Sequence, residues 1–149
     1  MPVQKAEITA KCTVTFDANL PANSTKIVNV TIDPVIGAKT EHVVPQDRDY
    51  IITDIYIKSS GDVGADCVVK FVKNGENELL QTDPVSTLLV SNPSRPRIPP
   101  LIFEAGSRMS LKAVNLEAIG TSAVTTTFYI KIAQREKAKR LGILERLSL

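Results

Sequence analysis

A strict alternation of apolar and polar side chains near the start of the chain constrains the fold more than any other feature. From Ile8 to Phe16, apolar residues hold every even position, and threonines and one lysine hold the odd positions. A period of two places the apolar side chains on one face of a β-strand. Threonine suits the outer face because its β-branch fits the pleat. The segment therefore predicts a half-buried strand whose apolar face points towards a core.

Further segments with β-strand composition follow as far as residue 132, and turn-forming residues separate them. The further candidate strands are residues 26–32, 40–44, 50–58, 66–73, 78–82, 86–90, 101–104, 108–116 and 123–132. Asn74-Gly75 separates two of them and is the strongest hairpin signal, because a type I′ turn needs positive φ at both central residues. Many short strands separated by turns predict an all-β fold, an antiparallel β-sandwich or barrel.

Several individual side chains can be assigned to the two faces of these strands. Ile51, Ile55 and Ile57 are expected to share the inner face of one strand, and Asp54 is expected on its solvent face. The two cysteines, Cys12 and Cys67, occupy apolar alternation positions and are expected to be buried free thiols. A disulfide between them stays open at this point, because sequence cannot give their separation.

Two segments depart from the strand pattern. Residues 92–100 contain four prolines and are expected to form a stiff extended loop. Residues 134–149 are rich in helix formers and predict a short amphipathic α-helix, so the chain divides into a β domain, 1–133, and a helical tail, 134–149. The tail has five basic and two acidic residues, net +3, which leaves the rest of the chain at −1. It either attaches the domain to a partner or packs back on its own sheet.

The sequence offers no set of residues suited to catalysis, cofactor binding or metal binding. Its single histidine, His42, cannot supply the several ligands of a metal site in a β-barrel, and no glycine-rich phosphate loop is present. We therefore expect no enzyme activity and no cofactor. A net charge of +2 argues against nucleic-acid binding by the whole chain. A membrane-surface role for the basic tail is an open but less favoured alternative.

Two segments carry a resemblance to a known group of proteins. They are Pro45-Gln-Asp-Arg-Asp-Tyr-Ile-Ile-Thr-Asp-Ile-Tyr-Ile57 and Phe103-Glu-Ala-Gly-Ser-Arg-Met-Ser-Leu-Lys-Ala113. This pairing resembles the small single jelly-roll structural proteins of phages and other viruses, of the capsid, decoration and head-fibre types. The resemblance implies an eight-stranded jelly roll, assembly as trimers or larger rings, and no catalysis.

The residues and the resemblance together predict a virion structural subunit that binds copies of itself and other capsid proteins and needs no small-molecule substrate. No signal peptide or transmembrane segment is evident, so we expect assembly in the host cytoplasm and residence in the virion. The alternative is a ligand- or carbohydrate-binding β-sandwich module, which requires Tyr50, Tyr56 or Tyr129 to be exposed beside polar partners. The residues expected at subunit contacts are Arg95, Pro96, Arg97, Ile98, Arg135, Arg140, Leu141, Leu144 and Leu147.

Overall fold

The structure is a computed structural model that describes residues 7–89 and 98–136. Its strands are β1 (Ile8–Phe16), β2 (Thr25–Ile27), β3 (Asn29–Thr31), β4 (His42–Val43), β5 (Arg48–Tyr56), β6 (Cys67–Lys73), β7 (Asn77–Gln81), β8 (Leu101–Phe103), β9 (Arg108–Asn115) and β10 (Val124–Glu136). Two short 3-10 turns, Ser60–Asp62 and Val85–Thr87, follow β5 and β7. The predicted all-β class is confirmed.

The strands form two antiparallel sheets. The first sheet has the order β3-β1-β10-β5-β8, and the second has the order β2-β9-β6-β7. β4 also pairs with β9 and extends the edge that β2 begins. Buried apolar side chains of both sheets make one continuous core. The fold is therefore sandwich-like, as the sequence predicts.

The central pairing of the first sheet follows directly from the alternation in β1. β1 and β10 pair without a break from Ile8 opposite Ile132 to Phe16 opposite Val124. The apolar positions from Ala10 to Phe16 are fully buried, while the threonines between them face outward. Cys12 of this sheet and Cys67 of β6 are both buried free thiols, as predicted.

The predicted strand 26–32 is in fact two strands, because the chain changes sheets in its middle. β2 lies in the second sheet and β3 in the first, and fully buried Val28 stands between them. The backbone N–H of Val28 donates to the carbonyl of Leu111, 3.0 Å away. This corner closes one side of the sandwich and keeps both Val28 and Val30 in the core.

A β-bulge in β5 makes one face prediction wrong. Lys131 pairs with Asp54 but Ile132 pairs with Ile52, so Thr53 is an extra residue in the ladder. The bulge resets the alternation, so Ile52 is fully buried and Ile51 is not. Ile55 and Ile57 lie in the core as expected. Asp54 pairs with Lys131 on the outer face, yet only 9% of it is exposed.

The hairpin predicted from Asn74-Gly75 is present between β6 and β7. Asn74 has φ of 55° and Gly75 has φ of 76°, the left-handed pair that a type I′ turn requires. The Asn74 side-chain oxygen also accepts a hydrogen bond from the backbone N–H of Arg108, at 2.9 Å. The side chain thus joins the turn to β9.

The helix predicted from residue 134 does not begin there. β10 continues to Glu136, because Gln134, Arg135 and Glu136 pair with Tyr50, Asp49 and Arg48 at the start of β5. Residues 137–149 lie outside the described residues. Within 7–89 and 98–136 there is no α-helix, and no helix there is long and apolar enough to cross a membrane.

Candidate functional site

The predicted contact residues do not gather on one described surface. Ile98, predicted at a subunit contact, is only 6% exposed and belongs to the core of its own chain. An isoleucine after a proline-rich stretch packs inward here because burial of its side chain is favourable. Arg135 lies at the end of β10. Arg95, Pro96, Arg97, Arg140, Leu141, Leu144 and Leu147 fall outside the described residues.

Arg135 makes a specific contact within its own chain. Its Nη2 lies 2.7 Å and its Nε 3.2 Å from Oδ2 of Asp49. Oδ1 of the same carboxylate accepts the backbone N–H of Ala105 at 3.0 Å. Asp49 is 2% exposed, whereas the Arg135 side chain is 49% exposed. The pair therefore ties β10, β5 and the turn after β8 together, and leaves the outer side of Arg135 accessible.

Exposed aliphatic side chains concentrate along the edge of the second sheet that β2 and β4 form, and in the loop that joins β3 to β4. Ile27 of β2 and Val43 of β4 are 56% and 63% exposed, and Val35 and Ile36 in the loop are 94% and 64% exposed. We call these four residues the edge patch. An aliphatic pair between Pro34 and Gly37, which break the strand pattern, is the sequence signal for an exposed apolar loop. None of the four edge-patch residues is among the predicted contact residues.

A cleft of about 580 Å³ opens beside the edge patch. Its apolar walls come from both the sheet ends and the loop: Ile8, Ile32, Pro34, Ile36, Val43 and Tyr50. Its charged lining residues are Asp33, Glu41 and Lys39, one net negative charge. Gln134, two residues before the end of β10, also lines it. The cleft thus brings apolar and charged side chains together in one lining, as sites for side chains of a partner do.

His42 lies in the cleft wall but is held by the backbone. Its Nε2 is 2.8 Å from the carbonyl oxygen of Val30, so the ring donates this proton and braces β4 against β3. Among the residues that the structure describes, no three histidine, cysteine, aspartate or glutamate side chains come close enough to hold a metal ion.

The tyrosines that the alternative function requires are only partly available. Tyr50 is buried, and burial raises the pKa of its hydroxyl. Tyr56 and Tyr129 are half-buried cross-strand neighbours whose ring centroids lie 5.6 Å apart. The ammonium of Lys58 sits 4.2 Å from the centroid of Tyr129, and that of Lys131 sits 5.8 Å from the centroid of Tyr56. Each ring therefore already carries a cation, which a stacking ligand would have to displace.

We expect both native thiols to be inert in the folded protein. Burial raises the pKa of Cys12 far above its ordinary range, and burial with the charge of Asp66 raises that of Cys67 to about 12. Since the unfolded thiols ionise first, the free energy of unfolding should fall between about pH 9 and 12, by roughly 1.4 kcal/mol per pH unit for each thiol. Stability of the wild type, measured against a Cys12→Ala/Cys67→Ala variant over this range, isolates that slope. Rapid alkylation of the native protein at pH 8 would contradict the expectation.

No protein-family model matches the sequence, and no curated protein matches it. The function of the chain is therefore inferred from its residues and its geometry.

Proposed function

We propose that this chain is a non-enzymatic structural subunit of a virion, a jelly-roll protein that assembles with copies of itself, as a trimer or larger ring, on or in a capsid. Its role would be of the capsid, decoration or fibre type, and the residues after β10 would serve attachment. The proposal is supported by the nesting of the strand pairs and by the edge patch.

The strand pairs nest within one another along the chain. β1 pairs with β10, β2 with β9, β5 with β8, and β6 with β7. Pairs nested in this way arise when one long hairpin folds over on itself. The fold divides the eight strands into two sheets of four, β1-β10-β5-β8 and β2-β9-β6-β7, and the short strands β3 and β4 are additional. A double-sheet jelly roll of eight strands has this arrangement. A fold of this kind supports many functions, so surface features must decide among them.

The edge patch is the observation that carries the proposal. Four aliphatic side chains on the β2–β4 edge and its adjoining loop are exposed by more than half, and a lone subunit would leave them in water. Two of them, Ile36 and Val43, line the same cleft. An exposed cluster of apolar side chains marks a contact between proteins. The short strands β2 and β4 also leave backbone groups at this edge for a neighbour to meet. Assembly would cover both the exposed aliphatic side chains and the backbone groups of this edge.

The test is the mass of the full chain in solution, measured by light scattering over a range of concentrations. We expect a defined multimer, and an Ile36→Glu/Val43→Glu variant should be a folded monomer because it places charge in the contact. Leu79→Glu, on the opposite edge strand β7, is the matched control and should leave the mass unchanged. A wild-type chain that remains monomeric throughout would rule out self-assembly through the edge patch.

A second candidate, the ligand- or carbohydrate-binding module, is favoured by the adjacent rings of Tyr56 and Tyr129. Hydroxyl-bearing Thr13 and Thr127 lie opposite each other on the same sheet face. A ligand that stacks on Tyr129 must displace the Lys58 ammonium from the ring. Binding on a glycan array should therefore become stronger in Lys58→Ala and be abolished in Tyr129→Ala.

A further inference from the structure

The strongest unexplained feature is the cleft, which lies where β10 ends and beside exposed aliphatic side chains. We infer that it receives residues 137–149 of a second copy of this chain, so that neighbouring subunits are joined by exchanged C-terminal segments. The inference rests on the proposed function, because it requires subunits that associate.

The composition of residues 137–149 is complementary to the cleft. The segment has five large aliphatic residues, Leu141, Ile143, Leu144, Leu147 and Leu149. It also has four basic residues and one acidic residue, net +3. The cleft is lined by six apolar residues and by Asp33, Glu41 and Lys39, which together carry one net negative charge. Aliphatic side chains of the segment can pack on the apolar residues while its basic residues meet Asp33 and Glu41.

The direction of β10 favours a neighbouring copy over the chain's own cleft. Gln134 lines the cleft, but β10 continues as a strand through Arg135 to Glu136. A strand advances about 3.3 Å per residue, so Glu136 lies roughly 7 Å beyond Gln134. Between Glu136 and Gly142 the sequence contains no glycine, proline, asparagine or aspartate, the residues that reverse a chain. To enter its own cleft the segment would have to reverse after Glu136, whereas the cleft of a neighbour requires no reversal.

A cross-linking experiment between full-length chains tests the inference. A tagged chain with Val43→Cys is co-expressed with an untagged chain with Leu144→Cys, and the assembly is treated with a short bismaleimide. The native thiols are buried and do not compete. A chain with Lys11→Cys, exposed on the outer face of the first sheet, replaces the Val43→Cys chain as the matched control. We expect about tenfold more cross-linked dimer with Val43→Cys than with the control, because docking raises the local concentration of the two thiols.

Each other result overturns the inference. Equal cross-linking at positions 43 and 11 means that the segment does not occupy the cleft. A chain carrying both Val43→Cys and Leu144→Cys that cross-links only within itself means that the segment docks on its own subunit. Light scattering on the same samples separates this failure from that of the proposed function. A multimer without the specific cross-link would refute the exchange of C-terminal segments alone. A monomer would refute both the exchange and the self-assembly of the proposed function.

Discussion

Replacing Arg135 with alanine is expected to lower the free energy of unfolding by about 3 kcal/mol at neutral pH, because it removes the guanidinium from a buried carboxylate. Asp49 is 2% exposed and receives both Nε and Nη2 of Arg135. The effect lies at the low end for a buried ion pair because half of the Arg135 side chain remains in water. Urea or guanidinium denaturation of the wild type and the variant measures it.

A double variant separates the buried charge from lost packing. In an Arg135→Ala chain, Asp49→Asn removes the charge while its amide oxygen can still accept the Ala105 N–H. We expect this second change to restore at least half of the lost stability. Arg108→Ala is the control, since the nearest Arg108 guanidinium nitrogen lies 3.9 Å from Glu41 on the surface and should contribute about 0.5 kcal/mol or less. If single and double variants are equally unstable, the buried charge is not the cause.

Local periodicity was sufficient to predict the parts of the fold in which a strand keeps one register throughout. β1 has the bounds that the alternation predicts, and Asn74-Gly75 forms the predicted turn. In both cases the deciding physics lies within a few residues, namely which face is apolar and which residues accept positive φ. Burial of both cysteines follows from the same alternation.

Contacts between distant strands decided the places where prediction failed. The helix-forming composition of residues 134–136 is outweighed by hydrogen bonding to the start of β5, which lies 86 residues earlier in the chain. Thr53 looks like an ordinary strand residue, and only its pairing with β10 shows that it is the extra residue of a bulge. Propensity is a weak prior where tertiary pairing is available.

The candidate site was predicted less well than the fold. Arg135 was identified for its charge in a basic tail, but its contact with Asp49 depends on a strand pairing that sequence does not give. The edge patch was missed because single exposed aliphatic residues look like core residues until the strands are placed. A cleft between sheet ends depends on the packing of both sheets and has no local signal.

Replacing Asn115 with alanine is expected to cost about 3 kcal/mol, because three backbone groups lose their hydrogen-bond partner at once. Asn115 is fully buried at the end of β9. Its Oδ1 accepts the N–H of Ser24 at 2.9 Å, and its Nδ2 donates to the carbonyls of Pro21 at 3.0 Å and Glu117 at 2.8 Å. This one side chain therefore fixes the loop between β1 and β2. Asn29→Ala, on the exposed side of β3, is the control and should change stability by about 0.5 kcal/mol or less.

The position of Asn115 makes this variant a test of whether stability and assembly are separable. β1 runs from Ile8, which lines the cleft, to Phe16 at the other end, and the loop held by Asn115 follows Phe16. Loss of these hydrogen bonds should therefore leave the cleft intact, together with Ile36 and Val43 of the edge patch, which line it. Ile27 is the member of the patch nearest the held loop, because β2 begins directly after Ser24. At a temperature where the variant remains folded, its mass by light scattering should equal that of the wild type. A reduced mass in a folded Asn115→Ala chain would place a subunit contact at this end of the sandwich, away from the cleft.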